Sequence, residues 1–102
     1  MVRIVWTEIA TNDLKGIYDF IADDSLRYAS ITTNKIYQKV QVLSKNLHIG
    51  RIVPEFNDEA IRELIQGNYR IIYKVITLEE IHIIRIFHSK RYLTRKKLTD
   101  NL

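Results

Sequence analysis

Cationic and proton-exchanging side chains interrupt the most apolar stretch of this chain. Between Tyr69 and His88 a run of β-branched and aromatic residues is broken by Arg70, Lys74, His82, Arg85 and His88. The planar guanidinium of arginine meets two phosphate oxygens at once. A histidine exchanges a proton near neutral pH. Such groups can clamp a phosphate and move a proton. Buried in a core, each is costly unless it reaches water or a counter-charge. Other chemistries find little support. The chain has no cysteine, and His48, His82 and His88 lack tight metal-ligand spacing, so no metal site is expected. Gly16, Gly50 and Gly67 stand singly, so there is no glycine-rich phosphate loop. No cofactor is expected.

The elements that must position these groups are readable from periodicity. Tyr69–Ile76 and Ile81–Phe87 read as strands, with Thr77–Glu80 as the polar break of an antiparallel hairpin. Upstream, Val2–Trp6 is a short strand. Thr7 offers an N-cap oxygen, and Ala10, Leu14, Ile17, Tyr18 and Ile21 form one apolar stripe on a helix from Glu8 to Ala22. Asp23, Asp24 and Ser25 break it and supply the next cap. A second helix is expected from Leu26 to Asn46, with a stripe of Ala29, Thr33, Ile36, Val40, Leu43 and Leu47, and with Lys35 and Lys39 on a basic edge. So short a break folds the helices back as an antiparallel pair. His48–Asp58 reads as irregular, since Pro54 excludes a central strand. Ala60–Gln66 is a further strand, and Gly67-Asn68 a turn. The order is β-α-α-β-β-β. The expected fold is α+β: a helical hairpin packed on a small, mostly antiparallel, twisted sheet, in a single domain over residues 1–102.

Composition bounds the partners. The 102 residues are 46% hydrophobic and 27% charged, as in ordinary globular domains. The net charge of +4 permits binding to nucleic acid or to an acidic protein without requiring either. The distribution says more: Lys90, Arg91, Arg95, Lys96 and Lys97 crowd the C-terminus, with no acid before Asp100. The N-terminus lacks a signal-peptide pattern, and no apolar run reaches the ~20 residues of a membrane span, so the expected location is cytoplasmic.

The element order and four sequence blocks resemble the RelE/ParE superfamily of bacterial toxins from type II toxin–antitoxin pairs. The blocks are IVWTEIATNDLKGIYDFIA, IGRIVPEF at Ile49–Phe56, the stretch Arg62–Val75, and IHIIRIFHSKRYL at Ile81–Leu93. The resemblance implies a small intracellular toxin neutralised by a cognate antitoxin. The Val-Pro-Glu block, the long helical hairpin and the ending HSKRYL resemble the ParE-like branch, whose members inhibit DNA gyrase. The alternative branch consists of ribosome-dependent mRNA endoribonucleases. Its YoeB-like catalytic set matches Glu55, Arg70 and His88, as base, phosphate clamp and acid. It departs at Ser89, where those nucleases carry a phenol, and the RelE-like lysine cluster of the central loop is absent.

The two readings make different demands. RNA cleavage by the 2′-hydroxyl needs a base, an acid and a cation on one surface. With a regular four-residue loop Arg70 pairs with Phe87, and His88 points to the opposite face. A five-residue loop, or one bulge before His88, brings Arg70 and His88 to the same face. Arg70 could instead pair with Glu63. A gyrase inhibitor needs only an exposed surface, for which Arg85, Lys90, Arg91, Tyr92 and Arg95 are the candidate target- or partner-binding residues. A nucleic-acid-binding module would stack bases on Tyr69, Tyr73, Phe87 and Tyr92. The aromatic residues of a hairpin are more often core, however.

Overall fold

A computed structural model describes residues 1–89. Strand β1 (Arg3–Trp6) leads into α1 (Glu8–Ala22), whose N-cap Thr7 accepts the Ala10 N–H at 3.1 Å. Thr7 also donates its hydroxyl to the carbonyl of Ile83, which ties the cap to the sheet. Ser25 caps α2 (Leu26–Gln41) by accepting from the Tyr28 N–H. The helix ends earlier than its periodicity suggests: Val42–Ser44 tightens into a 3-10 turn, which keeps Leu43 buried. The two helices pack side by side over one sheet face.

That sheet has the order β1-β5-β4-β3-β2, with β2 Arg51–Ile52, β3 Ile61–Gln66, β4 Tyr69–Thr77 and β5 Glu80–His88. All neighbours are antiparallel except β1 and β5, which run parallel. The segment expected to be irregular holds the two-residue strand β2, which ends before Pro54. At the β3–β4 turn Gly67 takes φ 59°, a conformation that glycine adopts without a Cβ penalty.

The core lies between helices and sheet. Ala10, Ile36, Val40, Leu43, Ile71, Tyr73, Ile81, Ile83 and Ile86 form one cluster. The far face carries a smaller one of Val53, Ile61, Ile72, Ile84 and Phe87, against which Phe56 packs. The α2 stripe is buried at Ala29, Ile36 and Val40. The α1 stripe is covered less well: Ala10 is buried, whereas Leu14, Ile17, Tyr18 and Ile21 are only half-buried, and Phe20 is 78% exposed. No helix among the described residues is long and apolar enough to cross a membrane.

The hairpin connection is shorter than expected, with only Leu78 and Glu79 between the strands. Thr77 pairs with Glu80, Val75 with Ile81, Tyr73 with Ile83, and Ile72 with Arg85. Two register shifts therefore occur, one passing over Ile76 in β4 and one over Ile84 in β5. Each adds one residue, on opposite strands, so they cancel. Beyond them Arg70 pairs with Phe87 and Tyr69 with His88. Directly paired residues share a face and successive ones alternate. Arg70 and Phe87 accordingly lie on the far face, and Tyr69 and His88 on the helix face.

Candidate functional site

The far face is organised around Arg70, which is 6% exposed. Its Nε donates to Glu63 Oε1 at 2.6 Å. Nη1 and Nη2 donate to Glu55 Oε2 and Oε1 at 2.7 and 3.0 Å, a two-pronged contact. The other oxygen of Glu63 accepts from Arg51 Nε. Arg51, Glu63, Arg70 and Glu55 thus form a chain of alternating charge. The Glu63 side chain is wholly buried and that of Arg51 is 65% exposed, so the chain runs from the interior to water. Register explains the burial: Glu63 sits opposite Ile72 between β2 and β4, a far-face position covered on both sides. A buried carboxylate is tolerated there because both of its oxygens have cationic donors. The Glu55 contact is the main influence raising the Arg70 pKa above the usual arginine range; burial acts against it, and Glu63 adds to the rise.

Glu55 reaches this position from the loop after β2. Val53 donates its N–H to Ile61 O, and its own carbonyl accepts from the N–H groups of Phe56 and Asn57. That tight turn, with Asn57 at φ 50°, aims Glu55 at the sheet. The loop's other end depends on Tyr73. The buried phenol donates to Leu47 O at 2.8 Å and accepts from the Gly50 N–H at 3.0 Å. Burial pushes the Tyr73 pKa up from its ordinary value, and the Gly50 N–H acts in the opposite direction. Arg62 completes the anchorage, donating from Nη1 to the carbonyls of Gly50 and His48.

The expected catalytic set is therefore divided. Glu55 and Arg70 meet, and Arg70 also pairs with Glu63. His88 lies on the other face, where its ring meets Tyr69 edge-on at a centroid distance of 5.9 Å. Arg70 and His88 do not share a face of this hairpin, because the two bulges offset one another.

Arg85 is not an open cation either. Its Nε donates to Asp13 Oδ2 at 2.9 Å, and its guanidinium carbon lies 5.6 Å from the Phe87 ring centroid. The same Asp13 oxygen accepts the Ile86 N–H at 2.9 Å. Strand β1 ends opposite Ile83, so this N–H lies on a sheet edge that β1 does not cover. Asp13 supplies the missing acceptor. Asp13 is not among the residues expected at the site, although its position is informative. Between Ala10 and Ile17 on the apolar side of α1, an acid needs a buried partner. Asp13→Ala should destabilise the protein by about 2–3 kcal/mol, since it orphans an N–H and a half-buried guanidinium. Asp13→Asn keeps an acceptor and should lose about 1 kcal/mol. Urea unfolding measures both, and equal losses would contradict this assignment.

Lys90, Arg91, Tyr92 and Arg95, the other candidate partner contacts, lie outside the described residues. The aromatic residues considered as base platforms divide as well: Tyr73 and Phe87 are buried. Among the described residues no cluster of three or more His, Cys, Asp or Glu is arranged to hold a metal ion.

On the helix face, by contrast, there is open concave surface. One groove of about 450 Å³ is lined by Phe20, Tyr28, Ile31, Lys35 and Tyr69. A second, of about 470 Å³, is lined by Asp13, Gly16, Ile17, Phe20, Tyr69 and His88. Phe20 and Tyr69 border both, beside the half-buried α1 stripe.

Residues 4–93 match the family described as the ParE toxin of the type II toxin–antitoxin system, parDE. Among solved structures, the chain is similar to a chromosomal ParDE toxin–antitoxin system from P. aeruginosa, with 25% sequence identity and a TM-score of 0.73. The match covers 88% of this chain and 98% of the other. No curated protein matches.

Proposed function

Given that the chain belongs to the ParE toxin family of type II toxin–antitoxin systems, we propose that it arrests growth by binding DNA gyrase rather than by cutting RNA. It would do so in the cytoplasm, under the control of a cognate antitoxin. The observation that carries the non-catalytic reading is the parity of the hairpin: Arg70 and His88 occupy opposite faces. Arg70, the cation a nuclease would present to phosphate, is already held by two carboxylates. Lys90, Arg91, Tyr92 and Arg95 are proposed as target or antitoxin contacts on their chemistry alone. For the antitoxin, the helix-face grooves fit an apolar segment. Phe20 and Tyr28 are more than half exposed there, an apolar surface that a monomer has reason to cover.

Two measurements test the proposal. Inducible expression of the chain alone should arrest growth and induce the SOS response, and co-expression with the adjacent small reading frame should relieve it. The purified protein should inhibit gyrase supercoiling and leave mRNA intact in a translating ribosome system. Codon-positioned mRNA cuts with unaffected supercoiling would overturn the gyrase reading in favour of the nuclease alternative.

A further inference from the structure

We propose that the Glu55 carboxylate is a built-in substitute for a phosphoryl ligand. It fills an anion site made by Arg70, and its removal opens that site to phosphate. The two parallel bonds from Nη1 and Nη2 to the Glu55 oxygens, at 2.7 and 3.0 Å, form the arrangement that two phosphate oxygens would take on the same fork. The remaining guanidinium nitrogen, Nε, is held from behind by Glu63. Glu63 is in turn held by Arg51. Loss of Glu55 therefore leaves Arg70 oriented, with its fork still facing outward.

The exposures support this division of labour. The Glu63 side chain is completely buried and that of Arg70 is 8% exposed, whereas the Glu55 side chain is 22% exposed. Glu55 is thus the solvent-side member, the place from which a ligand would enter. Charge points the same way. Among the described residues, Arg51 and Arg70 face Glu55 and Glu63, and deletion of the Glu55 charge removes the counter-charge bonded to the outer nitrogens of Arg70. A second guanidinium, that of Arg85, lies against the same Phe87 ring as Arg70, at 5.6 Å against 5.9 Å from the centroid. Asp13 holds it, so it contributes field rather than a free fork.

In the wild-type chain the site is silent. Glu55 is tethered next to Arg70, so it competes at an effective concentration in the millimolar range or above. Phosphate therefore fills the wild-type fork only at concentrations well above those that fill the vacated site. Glu55 would then be a specificity-determining residue that insulates a toxin sheet from phosphate and RNA backbones. This does not depend on the identity of the toxin's target, because it is read on the purified protein alone.

The test compares the full-length wild type with Glu55→Ala and Glu55→Gln. The glutamine variant preserves shape, so the comparison survives if the alanine variant does not fold. Thermal unfolding is followed against inorganic phosphate, with chloride at matched ionic strength as reference. A single-stranded oligonucleotide is titrated separately, to distinguish a free phosphate from a phosphodiester ligand. The neutralised variants should gain a saturable phosphate-specific rise of about 6–11 °C once phosphate exceeds its Kd tenfold, and the wild type should show none. Saturable oligonucleotide binding confined to the variants would also support the site and would assign it to diesters. The proposal is overturned if the folded variants respond to both ligands no more than the wild type, or if the wild type responds equally.

Discussion

Gly50→Ala should be among the most damaging single-methyl additions available in this protein, with a loss of about 3 kcal/mol or more in urea unfolding. A Cβ at this position would lie 2.6 Å from the Glu63 carbonyl oxygen and 2.7 Å from both Cε1 and the hydroxyl of Tyr73. None of these atoms can yield cheaply. The carbonyl belongs to the strand that pairs with β2, and the Tyr73 ring is fully buried with its hydroxyl engaged by Leu47 and Gly50. Relief would require β2 to lift away, carrying Arg51 and the Glu55 loop with it. The expected signature is therefore double: lower stability, and faster hydrogen exchange at the amides of Val53, Phe56 and Asn57. A stability change below about 1 kcal/mol would show that the loop can move without cost, and the anchoring role given to Tyr73 would fall. Tyr73→Phe offers a milder version, with loss of the donated and accepted hydrogen bonds and about 1–3 kcal/mol.

Breaking the charge chain at its buried centre should cost about as much. Glu63→Gln replaces a carboxylate that accepts from Arg70 and Arg51 with an amide, which presents a donor to one of them. The expected loss is about 3–5 kcal/mol, because a buried guanidinium is left undercompensated. Arg70→Met should cost a comparable amount, since it leaves the buried Oε1 of Glu63 without its donor and Arg51 as the remaining counter-charge. The double replacement Glu63→Leu with Arg70→Met behaves differently. It removes both interior charges, and Arg51 and Glu55 have enough exposure to turn towards water. Its stability should return to within about 1 kcal/mol of the wild type or exceed it, which gives a coupling energy of several kcal/mol in a double-mutant cycle. Additive losses in that cycle would mean that the pair is not the unit described here. Stability and function separate in this variant: under the gyrase reading it should remain toxic, because the chain organises the far face rather than performing chemistry.

Much of the architecture was readable from residue types. The stripe at Ala29, Ile36, Val40 and Leu43, the caps at Thr7 and Ser25, and the β-branched runs of the hairpin each carry a local period or a local hydrogen bond, and each formed where expected. Such features need only neighbouring residues, so local spacing encodes them. The end of α2 did not follow its stripe, because a 3-10 turn keeps the same side chain buried while changing the backbone bonds. The two-residue strand β2 has too few residues for any period.

The candidate site was legible only in its parts. Composition identified Arg70 as a cation that had to find a partner, and named Glu63 as one. It could not show that the Glu55 loop would close on the same guanidinium from 15 residues away, or that Asp13 would meet Arg85 across 72. Those contacts depend on how the elements stack, and no local signal carries them. Parity was the most consequential of these decisions. A bulge in a run such as IIYKVI or IHIIRI leaves no compositional mark, because the extra residue has the same type as its neighbours. Ile76 and Ile84 drop out of the pairing on opposite strands, and the shifts cancel. Residue types thus determined that this hairpin would be a sheet with cations in it. Only the packed sheet decided that Arg70 and His88 face away from each other, since one unpaired residue more or less reverses every side chain beyond it.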